Sequence, residues 1–376
     1  MLRNPDLSII LPCRNEEEAL PECLKSIKQV VAMAGIDAEI IVSDSSVDRS
    51  PEIAREFGAV LVKHDQFGYG RAYLEGFKKA SGQYLFLADA DATYDFKEIP
   101  VFLNNLKQGY DFVIGNRFAG KIDAGAMPWS HRYLGNPVLS FLVRLFFRSK
   151  VTDVHCGMRA ITKAALMKMN LQSTGMEFAS EMVIKAGKNN LKIKELPINY
   201  HQRKGQSKLN TFSDGWRHLR FLLLFSPLFL FFIPGLILFL SGLFFSFLIY
   251  FDFTILGRQF SYHPLFLTIS LIIIGYQLII FGFFAKVYAI THLGEDSLWF
   301  NKLWRYLTLE KSVLAGLFIF VLGALVYALI FNCWAVSGFE ELQEVKRSLV
   351  ALAFVIVGIQ TVFSSFMLSI LGIKDK

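Results

Sequence analysis

Two carboxylates one residue apart, Asp89 and Asp91, close the apolar run Tyr84-Leu-Phe-Leu-Ala88. A buried parallel strand reads as such a run, and open α/β sheets bind ligands beyond the carboxyl ends of their strands. Paired carboxylates there suit a polyphosphate and its divalent cation. Mg²⁺ and Mn²⁺ take hard oxygen ligands, commonly one or two carboxylates together with substrate phosphates. Asp-x-Asp alone is a weak signal and reads first as a turn after a strand. Its position and the other strand ends decide for the ligand.

The elements that must position this pair can be read along the first 215 residues. Leu7 to Pro12 is a first strand, stopped by Pro12. Glu16 to Ala34 has helical periodicity, with Ala19, Leu20, Cys23, Leu24, Ile27, Val30 and Val31 on one face. Further strands are expected at Glu39 to Ser43, Ala59 to Lys63, Tyr84 to Ala88 and Asp111 to Gly115, with a later one at Leu191 to Tyr200. Helices are expected at Arg49 to Phe57, from the Gly-punctuated start at Gly68 to Ala80, and at Asp95 to Gln108. Strand and helix alternate at βαβ spacing, which predicts an α/β, Rossmann-like, mostly parallel sheet. Right-handed crossovers then put the strand ends on one edge.

That edge carries Pro12-Cys-Arg14-Asn15-Glu16, Asp44-Ser-Ser46-Val-Asp48, Asp89 with Asp91, and Asn116-Arg117. Carboxylates ending the first two strands suit a base edge and ribose hydroxyls. No Gly-x-Gly-x-x-Gly opens the first helix and there is no Walker loop, so a dinucleotide oxidoreductase or an ATPase is disfavoured. Gly68-Tyr-Gly70-Arg71-Ala72 reads equally as a helix-start loop or as a ligand contact.

The chain has 376 residues, 53% of them hydrophobic and 37 of them Phe. That is too apolar for an ordinary soluble protein, and the excess lies beyond Phe221. Two domains are expected: 1–215, and an all-α membrane domain over 216–376 with four spans at about 228–250, 264–284, 313–331 and 349–371. The first span is about 34 Å long at 1.5 Å per residue, enough to cross a bilayer. Stretches at about 127–149 and 211–226 mix apolar residues with bases such as Arg132, Arg144, Arg217 and Arg220, as helices lying in the headgroup plane do. The net charge of +7, with bases flanking the apolar runs, points to a lipid bilayer and not to nucleic acid. Lys286, Lys302, Arg305 and Lys311 between spans two and three, with Lys374 and Lys376 in the tail, put the first domain, that loop and the C-terminus in the cytoplasm. Lys346 and Arg347 weigh weakly against this. The N-terminus lacks a signal-peptide apolar core, and the four cysteines show neither metal nor disulfide spacing. A homo-oligomer is compatible with all of this.

Taken together, Pro12-x-x-Asn15-Glu16, Asp44-Ser-Ser-x-Asp48, Gly68-x-Gly70, Asp89-Ala-Asp91 and Gly115-Asn-Arg117 resemble the family 2 glycosyltransferases of GT-A fold. Within that family the chain is most similar to polyprenyl-phosphate hexosyltransferases of the dolichol-phosphate mannose synthase type. Asp153-x-x-Cys-Gly157-x-Arg159, Gly175-Met-Glu-Phe178-x-x-Glu181 and Arg203-x-Gly-x-Ser207-Lys208 extend the match over residues 5 to 215. The resemblance implies a donor-nucleotide site at Pro12, Arg14, Asn15, Glu16, Asp44, Ser46, Gly70 and Arg71. It implies Mg²⁺ or Mn²⁺ on Asp89 and Asp91. Many such synthases have a Gln two residues after the second Asp; here stands Thr93, which leaves a third ligand open. Processive synthases carry Gln-x-x-Arg-Trp near the membrane, whereas this chain has Trp216-Arg-His-Leu-Arg220, so polymerisation is disfavoured.

The implied reaction moves a hexose, with inversion, from a nucleotide-diphosphate sugar to a polyprenyl (undecaprenyl or dolichyl) phosphate at a bacterial or archaeal cytoplasmic membrane. Asp89, Asp91, Arg117 and Arg203 are the expected catalytic residues. Arg117, Arg132, Arg203, Ser207 and Lys208 are the expected lipid-phosphate contacts. Two other readings stand beside it. Transfer to a lipid hydroxyl such as that of diacylglycerol would need a base, Asp153 or Glu177. A membrane scaffold would need no chemistry, and the intact Asp pair argues against it.

Overall fold

Leu7–Cys13 (β1) forms the middle of a sheet because its side chains are apolar on both faces and almost all buried. The computed structural model describes residues 5–205, 211–254, 261–292, 308–339 and 343–373. They fall into two compact units, Met1–Leu222 and Leu223–Lys376.

In the first unit β1 is followed by α1 (Leu20–Met33), β2 (Ala38–Asp44), α2 (Ser50–Glu56), β3 (Val60–Lys63), α3 (Tyr69–Lys79) and β4 (Tyr84–Leu87). Then come α4 (Ile99–Lys107), β5 (Phe112–Asn116), α5 (Asn136–Phe147), β6 (Arg159–Thr162), α6 (Lys163–Met169), α7 (Phe178–Lys188), β7 (Ile193–Pro197) and α8 (Thr211–Leu224). The strand order is β3-β2-β1-β4-β6-β5-β7. β6 runs antiparallel to both β4 and β5, and every other pairing is parallel. The carboxyl ends of β1, β2, β4 and β5 therefore share one edge. This is the mostly parallel sheet of a GT-A domain.

Four expectations are corrected. Pro12 does not stop β1, which pairs with β2 through Cys13. The carbonyls of Asp6 and Ile10 bond the β4 side, while the Leu7 amide and the Cys13 carbonyl bond the β2 side. By that alternation Pro12 turns its missing N–H toward β4, whose pairing with β1 has already ended at Leu87, so no ladder bond is lost. Next, α1 begins at Leu20 rather than Glu16, with Pro21 in its first turn; Glu16 stays in the loop above β1, its amide donating to Ser50 Oγ at 3.0 Å. The helix expected from Asp95 opens as a 3₁₀ turn, Phe96–Glu98, capped by Asp95, and becomes α-helical only from Ile99. Finally, the last strand ends at Pro197 rather than Tyr200. Beyond it the chain crosses to the β4 edge, where Tyr200 bridges Tyr94 and Ile122.

The second unit is helical: α9 (Ile233–Tyr250, continuing the turn Leu228–Phe232), α10 (His263–His292), α11 (Leu309–Val336) and α12 (Val345–Leu371). Among the described residues, four helical stretches are long and apolar enough to cross a membrane: Leu228–Tyr250, His263–Thr291, Leu309–Val336 and Val345–Leu371. The chain is an integral membrane protein. The last three helices outrun the expected spans because polar residues still fit at helix ends, as Thr308 does in capping α11. The expected tail bases Lys374 and Lys376, and Lys302 and Arg305 of the middle loop, lie outside the described residues.

Lipid gives helices no hydrophobic reason to associate, so close backbone approach and interhelical hydrogen bonds carry the packing. A Cβ on Gly275 would stand 2.4 Å from the Phe239 amide nitrogen and 2.7 Å from the Gly235 carbonyl, all backbone of α9. Ser246 Oγ donates to Thr268 Oγ1 at 2.7 Å between α9 and α10. Gln360 Nε2 donates to Gln277 Oε1 at 2.7 Å between α12 and α10. Gly275→Val should therefore force α9 and α10 apart and lower the melting temperature of detergent-solubilised protein by roughly 3–10 °C. Gly187→Ala on α7, where an added Cβ meets nothing within 4 Å, should leave it unchanged or slightly raised. Equal melting temperatures for the two variants would contradict this packing.

Candidate active site

Asp89 and Asp91 follow β4 directly, and the chain turns sharply after them. Ala92 adopts φ +62°, a left-handed conformation uncommon for a residue with a Cβ. The turn is held by Thr93, whose amide and hydroxyl both donate to Asp91 Oδ1, at 3.1 and 2.6 Å. Thr93 is itself buried. Thr93 thus orients Asp91 through a carboxylate oxygen.

Asp89 is enclosed. A Cβ on Gly157 would stand 2.4 Å from Asp89 Oδ2. Gly157 is placed by its amide donating to Tyr94 Oη at 2.7 Å. Next to it, the Arg159 guanidinium donates to the carbonyls of Cys156, Ala179 and Val154 at 2.8–2.9 Å. Burial, and after it the charge of Asp91, pushes the Asp89 carboxyl up to about 7, with Tyr69, Arg203 and Arg117 pulling the other way. Asp89 Oδ1 is buried without a hydrogen-bond partner. An orphaned carboxylate oxygen next to a second carboxylate fits a divalent cation as its missing partner. Among the described residues no third His, Cys, Asp or Glu joins them. Such a donor set suits Mg²⁺ or Mn²⁺ completed by substrate phosphates, and Asp89 and Asp91 would hold it.

The two arginines sit differently. Arg117 follows β5 and is buried; its Nε and Nη2 donate to Asp153 Oδ2 and Oδ1, both at 2.8 Å, and its amide donates to Asp153 Oδ2 at 3.0 Å. Burial works against its charge, but Asp153 outweighs this and holds its pKa well above the ordinary arginine value. The same guanidinium lies 5.3 Å from the centre of the Tyr200 ring. Arg203 reaches the carboxylates directly: Nη1 lies 3.5 Å from Asp91 Oδ2, and Nη2 pairs with Glu16 Oε1. Its loop is pinned by the His201 amide on the Thr93 carbonyl (2.9 Å) and the Lys204 amide on the Asp91 carbonyl (3.1 Å).

The loops above β1 and β2 form one network. Asn15, in a left-handed conformation, donates its amide to Ser46 Oγ at 2.7 Å and accepts the Val47 amide on Oδ1 at 3.0 Å. Asp44 is wholly buried and takes both the Ser46 hydroxyl (2.5 Å) and the Ser46 amide (3.2 Å). Pro12 is half-buried, and Arg14 is exposed with its guanidinium 4.2 Å from the centre of the Phe67 ring. Gly70 meets protein: a Cβ there would stand 2.2 Å from the Ser173 carbonyl and 2.8 Å from Phe178 Cβ. The Gly70 and Arg71 amides donate to the carbonyls of Gly175 and Thr174. The Gly68–Ala72 run thus opens α3 with Gly70 packed against the segment 173–178. The Arg71 side chain pairs with Glu75 at 3.6 Å. Arg132 lies in the turn His131–Gly135 before α5, over the Tyr133 ring at 5.5 Å, and makes no ion pair to Asp89 or Asp91. Ser207 and Lys208 lie outside the described residues.

Sequence reasoning missed Tyr69, Tyr94 and Tyr200 and the part Asp153 plays as the partner of Arg117. Asp153, Gly157 and Arg159 stood in one motif, but nothing in their spacing says which atoms they meet.

Residues 8–169 match the family model for glycosyl transferase family 2, and residues 284–372 match that for the glycosyltransferase family 2 C-terminal transmembrane region. The chain is similar to the low-salt glycan biosynthesis hexosyltransferase Agl6 of Haloferax volcanii, 39% identical over 98% of this chain and 89% of that protein. It is also similar to a dolichyl-phosphate hexose transferase of the same organism, 32% identical over 56% of this chain and 89% of that protein. Among solved structures it resembles a glucosyl-3-phosphoglycerate synthase of Mycobacterium tuberculosis crystallised with Mn²⁺ and UDP, at 20% identity and TM-score 0.47, over 58% of this chain and 79% of that one.

Asp89 supplies a test of the enclosed pair. Its raised pKa means that the folded protein without cation is favoured by a neutral Asp89. That stability is fully present below the unfolded value near 4 and is lost as pH rises through about 7. The loss amounts to a few kcal/mol at most. In chelator, Asp89→Asn should melt at a higher temperature than wild type at pH 8 and at the same temperature at pH 4. A variant less stable at pH 8 would contradict this placement.

Proposed function

Because this chain belongs to glycosyltransferase family 2, we propose that it is a membrane-bound hexosyltransferase that moves a hexose from a nucleotide-diphosphate sugar to a polyprenyl phosphate. The observation that carries the choice of acceptor is the state of the carboxylates. A lipid hydroxyl needs a base, and both residues singled out for that role already accept hydrogen bonds within the chain. Asp153 is fully buried in its two-point pair with Arg117. Glu177 accepts the Gly175 amide at 3.2 Å. A phosphate monoester needs no base, since it is already ionised near neutral pH, with a second pKa of about 6. It needs positioning and charge screening.

In this reading the donor diphosphate lies across the ends of β1 and β4. Asp89 and Asp91 hold Mg²⁺ or Mn²⁺, which would stabilise the departing diphosphate as a Lewis acid. Arg203, already at those carboxylates, offers its guanidinium to phosphate oxygens, the two-point contact in which arginine surpasses lysine. Arg117, fixed by Asp153, adds positive potential on the β5 side. Pro12, Asn15, Glu16, Asp44 and Ser46 shape the nucleotide end of the cleft. A phosphate oxygen of the lipid attacks the anomeric carbon, the bond from that carbon to the diphosphate breaks, and the configuration inverts. We place the catalytic unit on the cytoplasmic side of a bacterial or archaeal membrane, from the basic residues between spans two and three.

One observation favours the hydroxyl acceptor: Asp89, held near neutrality by burial, has the proton affinity of a general base. The acceptor itself separates the two. With a panel of labelled UDP- and GDP-sugars, undecaprenyl or dolichyl phosphate should give lipid-linked hexose, and the matching polyprenol should give none. Equal rates with the alcohol would move the assignment to a hydroxyl acceptor, and no turnover of any donor with any lipid would leave a scaffold.

A further inference from the structure

Both oxygens of Asp91 are engaged within the chain. Oδ1 takes two hydrogen bonds from Thr93, and Oδ2 faces Arg203 Nη1 at 3.5 Å. The other end of the same guanidinium pairs with Glu16, which is 8% exposed. A guanidinium does not deprotonate, so this is a permanent positive charge set between two carboxylates of a largely buried site. Its position is built in: the loop backbone is bonded to the carbonyls of Asp91 and Thr93, and the Tyr200 ring that leads into it packs on Tyr94 at 5.5 Å. Arg203 Nε is buried without a hydrogen-bond partner, a donor that the carboxylates leave unused.

We propose that Arg203 is the internal counter-ion of Asp91 and Glu16 and is exchanged onto the donor diphosphate when cation and donor enter together. The inference rests on the cation and diphosphate reading above. A divalent cation arriving alone would meet two protein carboxylates, one of them already neutralised by Arg203, and no third protein ligand among the described residues. A diphosphate brings phosphate oxygens that complete the cation's shell and give the guanidinium, including Nε, a better set of acceptors. Exchange therefore couples the two ligands: each raises the affinity of the other by the same factor. The cation is admitted with the donor and released with the nucleotide product, and Glu16 acts as the second resting point of the arginine. Thr93 serves the same end as a positioning residue, fixing Asp91 with Oδ2 toward Arg203.

The test is Mn²⁺ binding to the full-length protein in detergent, followed by electron paramagnetic resonance, with and without saturating UDP or GDP. Wild type should bind Mn²⁺ weakly alone and at least ~10-fold more tightly with one of the nucleotides. Arg203→Ala should bind Mn²⁺ alone at least ~10-fold more tightly than wild type, as follows from removing a positive charge that lies 3.5 Å from Asp91 Oδ2. Its nucleotide coupling should shrink accordingly. Arg203→Lys, which keeps the charge, should stay near wild type for Mn²⁺ alone. Wild-type Mn²⁺ affinity in Arg203→Ala, with nucleotide coupling intact, would overturn the exchange and leave the function reading standing. Mn²⁺ binding in no arm, with either nucleotide, would overturn the cation and diphosphate reading itself.

Discussion

Two carboxylates side by side at the end of one strand, Asp91 buried and Asp89 half-buried, are an electrostatic liability, and the first unit is arranged around containing it. Neither can be neutralised by the other, and burial removes the water that would screen them. The protein answers with fixed contacts on each. Tyr69 hydrogen-bonds Asp89, and Gly157 closes over it. Thr93 holds one oxygen of Asp91, and Arg203 stands at the other. Two buried atoms are left over, Asp89 Oδ1 and Arg203 Nε, one an acceptor and one a donor. A site with an acceptor and a donor left unpaired is ready for a ligand that completes both.

The supports lie far apart in sequence and close in space because of where β6 is inserted. Were β5 beside β4, Arg117 would neighbour the carboxylates with nothing between. The antiparallel β6 separates them and brings the loop 153–157 to the same edge. That loop supplies Asp153 to Arg117 and Gly157 to Asp89. Arg159, at the start of β6, ties the loop to α7 through three carbonyls, so the enclosure of Asp89 is rigid. Its other side is the loop 201–205, joined to the carboxylates by charge and two backbone bonds. Fixed carboxylates and an exchangeable arginine are what a site needs to grip a diphosphate and then let it go.

Much of this was legible in the sequence, for identifiable reasons. β1, β2, β4 and β5 announce themselves as apolar runs cut off by polar residues, which also locates the edge where those residues meet. The four long helices follow from composition alone, since no soluble core absorbs so many consecutive apolar residues. β6 was not legible: it is four residues long and begins with a charged arginine whose burial depends on three carbonyls, two in the preceding loop and one on α7. The role of Thr93 was equally hidden. Its hydroxyl could face a ligand or its own neighbour, and only the left-handed turn at Ala92 decides. The packing of Gly70 on Ser173 and Phe178 was also hidden, because glycine permits close approach to protein and to phosphate alike.

The central claim is that Asp89 and Asp91 engage the donor diphosphate through a divalent cation, and it is tested most directly by turnover of a labelled nucleotide sugar in chelator, followed by add-back. The account predicts that EDTA abolishes transfer and that Mg²⁺ or Mn²⁺ restores it. It predicts too that Asp91→Asn, folded by circular dichroism, stays inactive at every cation concentration. An Asp91→Asn enzyme with full turnover in EDTA would contradict it.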